Sequence, residues 1–204
     1  MAGGVVLAAV SGGLVLAFAP GAAWAAMPFC ALWLLSPLVA LGVSRPPTEP
    51  ATEQLSQADV ETLRLTARRT WLFFETFVGG EGNDLPPDNF QEDPTPVVAH
   101  RTSPTNIGMY LLSTVTARDF GWVGTLEMVE RLEATLATID GLERFRGHLY
   151  NWYDTRDLRP LEPQYVSAVD SGNLAGHLLA LANACRLMID QPLPIAAARA
   201  GILD

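Results

Sequence analysis

The hydrophobic positions change their pattern abruptly after residue 43. Residues 3–19 and 22–43 are almost entirely Ala, Val, Leu, Gly, Phe and Trp, and a Pro-Gly pair separates the two runs. Each run is close to the roughly 20 residues that cross about 30 Å of hydrocarbon as a helix. The pattern therefore predicts a hairpin of two transmembrane helices over residues 1–43, with the lipid bilayer as a partner.

The first charged residue of the chain is Arg45, and Arg64, Arg68 and Arg69 follow it. Arginines close to a span tend to remain on the cytoplasmic side, so residues after 43 are expected in the cytoplasm. A secretory signal peptide is the alternative for the first apolar run. It is disfavoured because there is no basic n-region and a second apolar run follows immediately.

Beyond the apolar runs, residues 44–56 contain three prolines and are predicted to form a linker. Apolar residues then recur at every third or fourth position, which is the helical period. With the capping residues that precede each run, this period predicts four helices: about 57–78, from Ser103-Pro104 onward, about 125–139, and from Asp170 or Ser171 onward. No strand alternation is evident, so residues 57–204 are predicted to be an all-α array.

The apolar stripes of these helices identify a candidate core. The positions expected to face inward are Val60, Leu63, Ala67, Trp71, Phe74 and Val78 in the first helix, Ile107, Tyr110, Leu111, Thr114 and Val115 in the second, Leu126, Val129, Leu132, Leu136 and Ile139 in the third, and Leu174, Leu178, Leu181, Cys185 and Met188 in the fourth.

Charge and composition exclude several classes of function. Thirteen basic residues, all Arg, against 22 acidic residues give a net charge of −9, which argues against a nucleic-acid partner. The two cysteines suggest neither a disulfide framework nor a zinc site. His100, His148 and His177 lack helical-spacing partners, so no metal is predicted, and His177 is expected to be a hydrogen-bonded core or helix-face residue. No nucleotide-binding or hydrolase motif is present, and no cofactor is predicted.

Two long connections are the candidate functional segments. About 25 residues join the first and second helices and about 30 join the third and fourth, whereas the intervening connection is short. In an up-and-down array both long connections then lie at the same end, together with the N-termini of the second and fourth helices. Loops of this length in a compact domain are usually functional.

The two connections combine carboxylates, amides and aromatic rings. Sugar hydroxyls pair with carboxylates and amides, and pyranose faces stack on rings, so this composition favours a carbohydrate site. The candidate contact residues are Asp170, Asp154, Trp152, Tyr153, Asn151, Asp88, Asn89, Arg101 and Asn106. No catalytic pair is assigned, because sequence does not give the distance between carboxylates.

Alternative interpretations stay open at this point. The first connection also fits a surface loop with solvated acids, and the second also fits a buried aromatic cluster that closes a helical array. A membrane-anchored helical module that binds a protein partner is the alternative function.

Four strings in these connections strongly resemble the bacterial cyclic β-1,2-glucan synthases. They are, in order, LPPDNFQE at 85–92, HRTSPTNIG at 100–108, YNWYDT at 150–155 and VDSGNLA at 169–175. Four motifs in the same order are specific, and the family also has membrane spans directly before this region, so the similarity covers essentially the whole chain.

The resemblance implies part of a large bacterial inner-membrane enzyme that builds and cyclises β-1,2-glucan from UDP-glucose. This chain would be the last membrane hairpin and, over 57–204, the N-terminal part of a cytoplasmic (α/α)6 glycoamylase-like domain. The implied partners are the β-1,2-glucan chain and the remaining domains of that enzyme. Its catalytic acids are not placed within these residues and are expected beyond Asp204, so the fragment alone is expected to be inactive.

Overall fold

The computed structural model describes residues 2–45, 55–191 and 195–204. Most of the predicted linker, residues 46–54, lies outside the described residues. Contacts divide the chain into two compact units, Met1–Leu55 and Ser56–Asp204.

The first unit is a helical hairpin. Helix α1 (Ala2–Phe18) and helix α2 (Ala23–Val43) are joined by a 3₁₀ turn at Pro20–Ala22, where the proline occupies the first helical position. The helical stretch Pro20–Val43 has 24 residues and is long and apolar enough to cross a bilayer. Helix α1 has 17 residues, or about 25 Å of helix. This length equals that of the predicted apolar run at residues 3–19.

The second unit opens with helix α3 (Gln57–Phe77), which has the predicted N-terminus. The Ser56 side chain accepts a hydrogen bond from the Asp59 N–H, and the Asp59 carboxylate accepts from the Ser56 N–H, which completes a capping box. Of the predicted apolar stripe, Trp71, Phe74 and Val78 are buried. Val60 and Leu63 near the start of the helix are exposed, so the helix enters the core only in its second half.

Helix α4 (Pro104–Phe120) is the central helix of the unit. Ser103 caps its N-terminus, Pro104 is its first residue, and Gly121 ends it with a φ of 83°. A positive φ suits glycine because it has no Cβ. All five residues predicted to face inward are buried: Ile107, Tyr110, Leu111, Thr114 and Val115.

Helix α5 (Thr125–Gly141) buries a face that differs from the predicted one. Leu132 and Ile139 are buried as expected, but Leu126 is exposed, and Val129 and Leu136 are each 37% exposed. Met128 and Thr135 take the inner positions instead. The Thr135 hydroxyl donates to the backbone oxygen of Asp84, so a polar residue enters the core because the first long loop supplies its partner.

Helix α6 (Ala168–Ile189) begins earlier than the sequence predicted. Its N-cap is Ser167, whose side chain accepts from the Asp170 N–H. Asp170 therefore lies in the first turn, and its carboxylate is free to face other elements. Leu174 and Leu181 are buried, whereas the other predicted inward residues, Leu178, Cys185 and Met188, are partly buried against the same core.

His177 does not make the predicted hydrogen bond through its Nδ1 atom. This side chain of α6 packs against Gly108 of α4, and its Nδ1 is buried with no partner in the part of the chain that the structure describes. A side chain at position 108 would collide with the imidazole. Gly108 thus permits the close approach of α4 and α6.

A short helix α7 (Ile195–Gly201), which the sequence analysis did not predict, follows at the C-terminus. The Asp204 carboxylate beyond it accepts hydrogen bonds from Arg64 Nε (2.8 Å) and Trp122 Nε1 (2.6 Å). These bonds lower the pKa of Asp204, with the bond from Arg64 contributing most. The C-terminal residues are thereby attached to α3 and to the α4–α5 turn.

Six two-residue strands in the part of the chain that the structure describes correct the prediction that strands are absent. They are β1 (Phe90–Gln91), β2 (Val97–Val98), β3 (Arg101–Thr102), β4 (Arg144–Phe145), β5 (His148–Leu149) and β6 (Tyr153–Asp154). The antiparallel pairs are β1 with β2, β3 with β6, and β4 with β5. The β3–β6 pair joins the two long connections, so the second unit is an all-α array whose loops are tied together by short strands.

Candidate functional site

The two long connections meet where α4 and α6 begin. Strand β3 of the first connection pairs with β6 of the second, with Arg101 opposite Asp154 and Thr102 opposite Tyr153. In the first turns of the two helices, the Thr105 hydroxyl lies 2.7 Å from Asp170 Oδ1. The predicted placement of both connections at one end of the helices is therefore confirmed.

Asp88 organises the first half of the site. One carboxylate oxygen, Oδ2, accepts from Arg101 Nε (3.0 Å), from Arg101 Nη2 (2.8 Å) and from the Asn89 amide (3.0 Å). The other oxygen, Oδ1, accepts from the Asn106 amide at 3.2 Å. The backbone N–H of Asp88 donates to the Ala99 carbonyl, so the β1–β2 hairpin holds Asp88 in place. Three candidate residues thus donate to the carboxylate of a fourth.

Arg101 connects this half of the site to the aromatic half. Its guanidinium carbon lies 4.9 Å from the centre of the Trp152 ring, within the range of a cation–π contact. The Arg101 side chain is about half exposed, at 51%. The Arg101 guanidinium therefore covers one face of the Trp152 indole, and its exposed N–H groups remain accessible to a ligand.

Asn151 connects Trp152 to Asp170. In the amide orientation that satisfies its neighbours, its nitrogen donates to Asp170 Oδ2 and its oxygen accepts from Trp152 Nε1 and the Tyr165 hydroxyl, all at 2.8 Å. Asn151 is buried, whereas Trp152 and Asp170 are partly exposed. We refer to the seven connected residues as the polar network: Asp88, Asn89, Arg101, Asn106, Asn151, Trp152 and Asp170.

Three contributors to the site were missed from the sequence. The Thr105 hydroxyl donates to Asp170 Oδ1, the Asn173 amide donates to Thr105 Oγ1 at 3.1 Å, and the Tyr165 hydroxyl bonds to Asn151. Thr105 lies in the string HRTSPTNIG and Asn173 in the string VDSGNLA, two of the motifs that carry the family resemblance. Their roles were not visible because each contact joins residues more than 60 positions apart.

Tyr153 and Asp154 lie beneath the polar network rather than in it. The Tyr153 ring is 0% exposed, and its hydroxyl donates to the Glu143 carbonyl at 2.6 Å. Burial raises the pKa of Tyr153. No ring face remains for a sugar, so the expectation that Tyr153 stacks on a ligand is corrected: its neighbour Trp152 faces the site, and strand β6 turns Tyr153 into the core.

Asp154 has an internal partner that fixes its charge. Arg156 donates to Oδ1 from Nε at 3.1 Å and to Oδ2 from Nη2 at 2.9 Å. These side-chain hydrogen bonds lower the pKa of Asp154 from 3.8 to about 2, although burial acts in the opposite direction. Both carboxylate oxygens are occupied, so the expected sugar contact is replaced by an ion pair that closes the loop.

We expect Asp154 to contribute to the pH dependence of stability. Its pKa is lower in the folded state, so the ionised carboxylate stabilises the protein above about pH 4, and this contribution is lost as pH falls toward about 2. Asp154→Asn should lower the free energy of unfolding at neutral pH by about 2 kcal/mol. Urea unfolding across this pH range measures both effects, and Asp157→Asn, on an exposed neighbour, serves as the control. Parallel pH profiles for wild type and Asp154→Asn would contradict the assignment.

A cavity of about 300 Å³ lies beside the network, between α3 and α4. Asp88 and Asn106 line one part of it, and the remainder is mostly apolar: Phe73, Phe74, Pro86, Pro87 and Met109. Polar hydrogen-bonding groups next to an apolar wall are typical of sites for ligands with both kinds of surface.

The carboxylates of the polar network serve as hydrogen-bond acceptors for neighbouring side chains. Within residues 2–45, 55–191 and 195–204, no group of three or more His, Cys, Asp or Glu side chains is placed to hold a metal ion. Asp88 and Asp170 each receive at least two donors, so they act as acceptors that orient their neighbours. Arg101, Asn89 and Trp152 remain accessible to a ligand with hydroxyl groups.

Comparison with known proteins relates this geometry to two groups. The chain is 60% identical over 138 residues to the cyclic beta-(1,2)-glucan synthase NdvB of Rhizobium meliloti (strain 1021), a match that covers 68% of the chain and 5% of that synthase. The resemblance indicated by the loop motifs is thereby confirmed. The chain spans only a small part of the length of this relative. No protein-family model matches the chain.

Two solved structures share the fold of the chain. Both are inferred glucoamylases: one from Bacteroides fragilis NCTC 9343 (20% identity, TM-score 0.51) and one from Bacteroides caccae ATCC 43185 (23% identity, TM-score 0.52). The matches cover 65% and 69% of this chain but only 32% and 35% of those chains. The helical array is therefore similar to about one third of a glucoamylase fold, which agrees with the part of a glycoamylase-like domain that the resemblance implied.

Proposed function

Because the chain corresponds in sequence to a segment of a cyclic β-1,2-glucan synthase, we propose that it is part of a glycosyltransferase that makes and cyclises β-1,2-glucan from UDP-glucose. In this proposal the second unit contributes a glucan-binding surface to an (α/α)6 domain. The observation that carries the proposal is the continuous polar network at the start of α4 and α6, built from the motifs that resemble the synthases.

The chemistry of the network fits a neutral glucan. Arg101 and Asn89 present N–H donors at the surface, and Trp152 adds an aromatic edge beside them. Hydroxyl groups both donate and accept, so they can pair with these donors and with the free lone pairs of Asp88 and Asp170. Internal bonds already fix these side chains, which lowers the entropy lost when a ligand binds.

The remaining steps of synthesis belong, in this proposal, to other domains of the parent enzyme. The matched segment is only 5% of the length of the synthase, so in this proposal it supplies one surface of the enzyme. No residue of this chain is assigned a catalytic role. The transfer of glucose from UDP-glucose and the catalytic acids of the (α/α)6 domain are expected outside residues 1–204. The isolated chain should bind glucan without turning it over.

Membrane anchoring is the second part of the proposal. The stretch Pro20–Val43 has spanning length, and its large apolar side chains, including Leu32, Leu38 and Leu41, are exposed. Exposed apolar side chains at this density are stable in hydrocarbon and costly in water. With Arg45 directly after the span, we place the second unit on the cytoplasmic side of the bacterial inner membrane.

Glucan binding by the whole chain in detergent tests the proposal. We expect calorimetry with linear β-1,2-glucan to show binding that weakens at least about tenfold in Trp152→Ala and in Asp170→Ala, since each loses a contact and releases its neighbours. Asp157→Ala, in the same loop but outside the polar network, should bind as the wild type does.

Circular dichroism of each variant separates loss of binding from loss of folding. Equal affinity in the wild type and both network variants, or no binding by the folded wild type, would contradict the proposal. The protein-interaction module would then be the better account of these loops.

A further inference from the structure

Thr105 and Asn173 form a short relay that ends on Asp170. Thr105 lies in the first turn of α4, and Asp170 and Asn173 lie in the first two turns of α6. Asn173 Nδ2 is 3.1 Å from Thr105 Oγ1, and Thr105 Oγ1 is 2.7 Å from Asp170 Oδ1. The relay thus connects the N-terminal turns of the two helices that meet at the polar network.

The direction of each hydrogen bond follows from the groups involved. An ionised carboxylate only accepts, and a threonine hydroxyl has a single proton to donate. Because Asn173 donates its amide proton to Thr105 Oγ1, the hydroxyl proton of Thr105 is directed to Asp170. Asn151 donates to the other carboxylate oxygen, so Asp170 is held from both sides by donors on separate elements.

The capping pattern of α6 leaves Asp170 available for this role. Ser167 caps the helix, and the Asp170 backbone N–H donates to the Ser167 side chain. The Asp170 carboxylate is therefore not used for capping its own helix. Without Thr105 it would keep one fixed side-chain contact, from Asn151, and could rotate about χ1.

We propose that Thr105 is a positioning residue, which with Asn173 holds the Asp170 carboxylate in the orientation that meets glucan. This inference rests on the proposed function, because it concerns the affinity of the same site. Thr105 itself acts through Asp170 and makes no direct contact with the ligand in this proposal.

Replacement of the Thr105 hydroxyl by a methyl group tests the relay in the whole chain. We expect Thr105→Val to weaken the binding of linear β-1,2-glucan about fivefold to tenfold, and Thr105→Ser to restore affinity to within about twofold of the wild type. Thr116→Val is the matched control on the same helix, since its hydroxyl donates only to the Leu112 carbonyl. Thr116→Val should leave affinity unchanged.

A double-mutant cycle distinguishes positioning from a general structural role. In the Asp170→Ala background, Thr105→Val should cause no further loss, because its effect passes through the missing carboxylate. An undiminished loss in that background, wild-type affinity in Thr105→Val, or failure of Thr105→Ser to restore binding would each overturn the inference. If Thr105→Val binds normally while Asp170→Ala does not, the positioning role is wrong and the glucan site stands. If Asp170→Ala and Trp152→Ala also bind normally, both are wrong.

Discussion

Tyr110→Ala is expected to lower the free energy of unfolding of the helical unit by about 4 kcal/mol, which is the usual cost of removing a large aromatic side chain from a core. Tyr110 is buried on α4. Its ring lies parallel to that of Trp71 at 6.5 Å and 5.4 Å from that of Phe74. Loss of the ring removes two aromatic contacts between α3 and α4 and leaves a cavity.

Urea unfolding of the whole chain in mild detergent, followed by circular dichroism, measures this effect. Tyr110→Phe keeps the ring and should lose far less stability than Tyr110→Ala. Phe145→Ala removes an aromatic side chain that is half exposed, and it should cost less than about 1 kcal/mol. Similar midpoints for Tyr110→Ala and Phe145→Ala would show that the α3–α4 contact is not the centre of this core.

Gly108→Val is expected to destabilise the unit by about 3 kcal/mol through overpacking. A Cβ at position 108 would collide with the His177 ring and would lie only 3.0 Å from the His177 Cβ, which cannot move without a shift of the α6 backbone. Helices α4 and α6 would therefore have to separate. Separation would also lengthen the Thr105–Asp170 contact at the start of the same two helices.

Gly176→Val provides the matched control, because it makes the same substitution on α6 where no atom lies within 4 Å of the added Cβ. It should be neutral or slightly stabilising, since valine is a better helix former than glycine. Adding His177→Ala to Gly108→Val should recover part of the lost stability. An equal loss in Gly108→Val and Gly176→Val, measured by urea unfolding, would refute close packing at this position.

The N-terminal caps of α3 and α4 and the buried face of α4 agree with the sequence predictions. The caps at Ser56 and Ser103 and the inward face of α4 were correct, because they depend on residues within one or two turns. The start of α6 was placed too late, although Ser167 followed three residues later by Asp170 carries the capping pattern. Ser167, Asp170 and Ser171 can each cap a helix, and the local sequence does not determine which of them does so.

The candidate site was predicted by composition and motif, but its internal organisation was not. Asp88, Arg101, Asn106 and Asp170 were correctly brought to one end of the helices. The division between Trp152, which faces the site, and Tyr153, which faces the core, depends on how β6 pairs with a strand about 50 residues earlier. Alternate residues of a strand point to opposite sides, so this pairing decides which of the two aromatic residues faces the site and which faces the core.

The sequence by itself determined the apolar hairpin, the positions of the main helices and the motifs shared with the synthases, because hydrophobic period, capping residues and motif order are local properties of the chain. Only the tertiary structure decided that Asp154 pairs with Arg156, that Thr105 and Asn173 support Asp170, and that His177 packs on Gly108. All but the first of these contacts join residues from two helices or loops that are distant along the chain. Their geometry is set by how closely α4 and α6 approach, and a glycine at position 108 is what permits that approach.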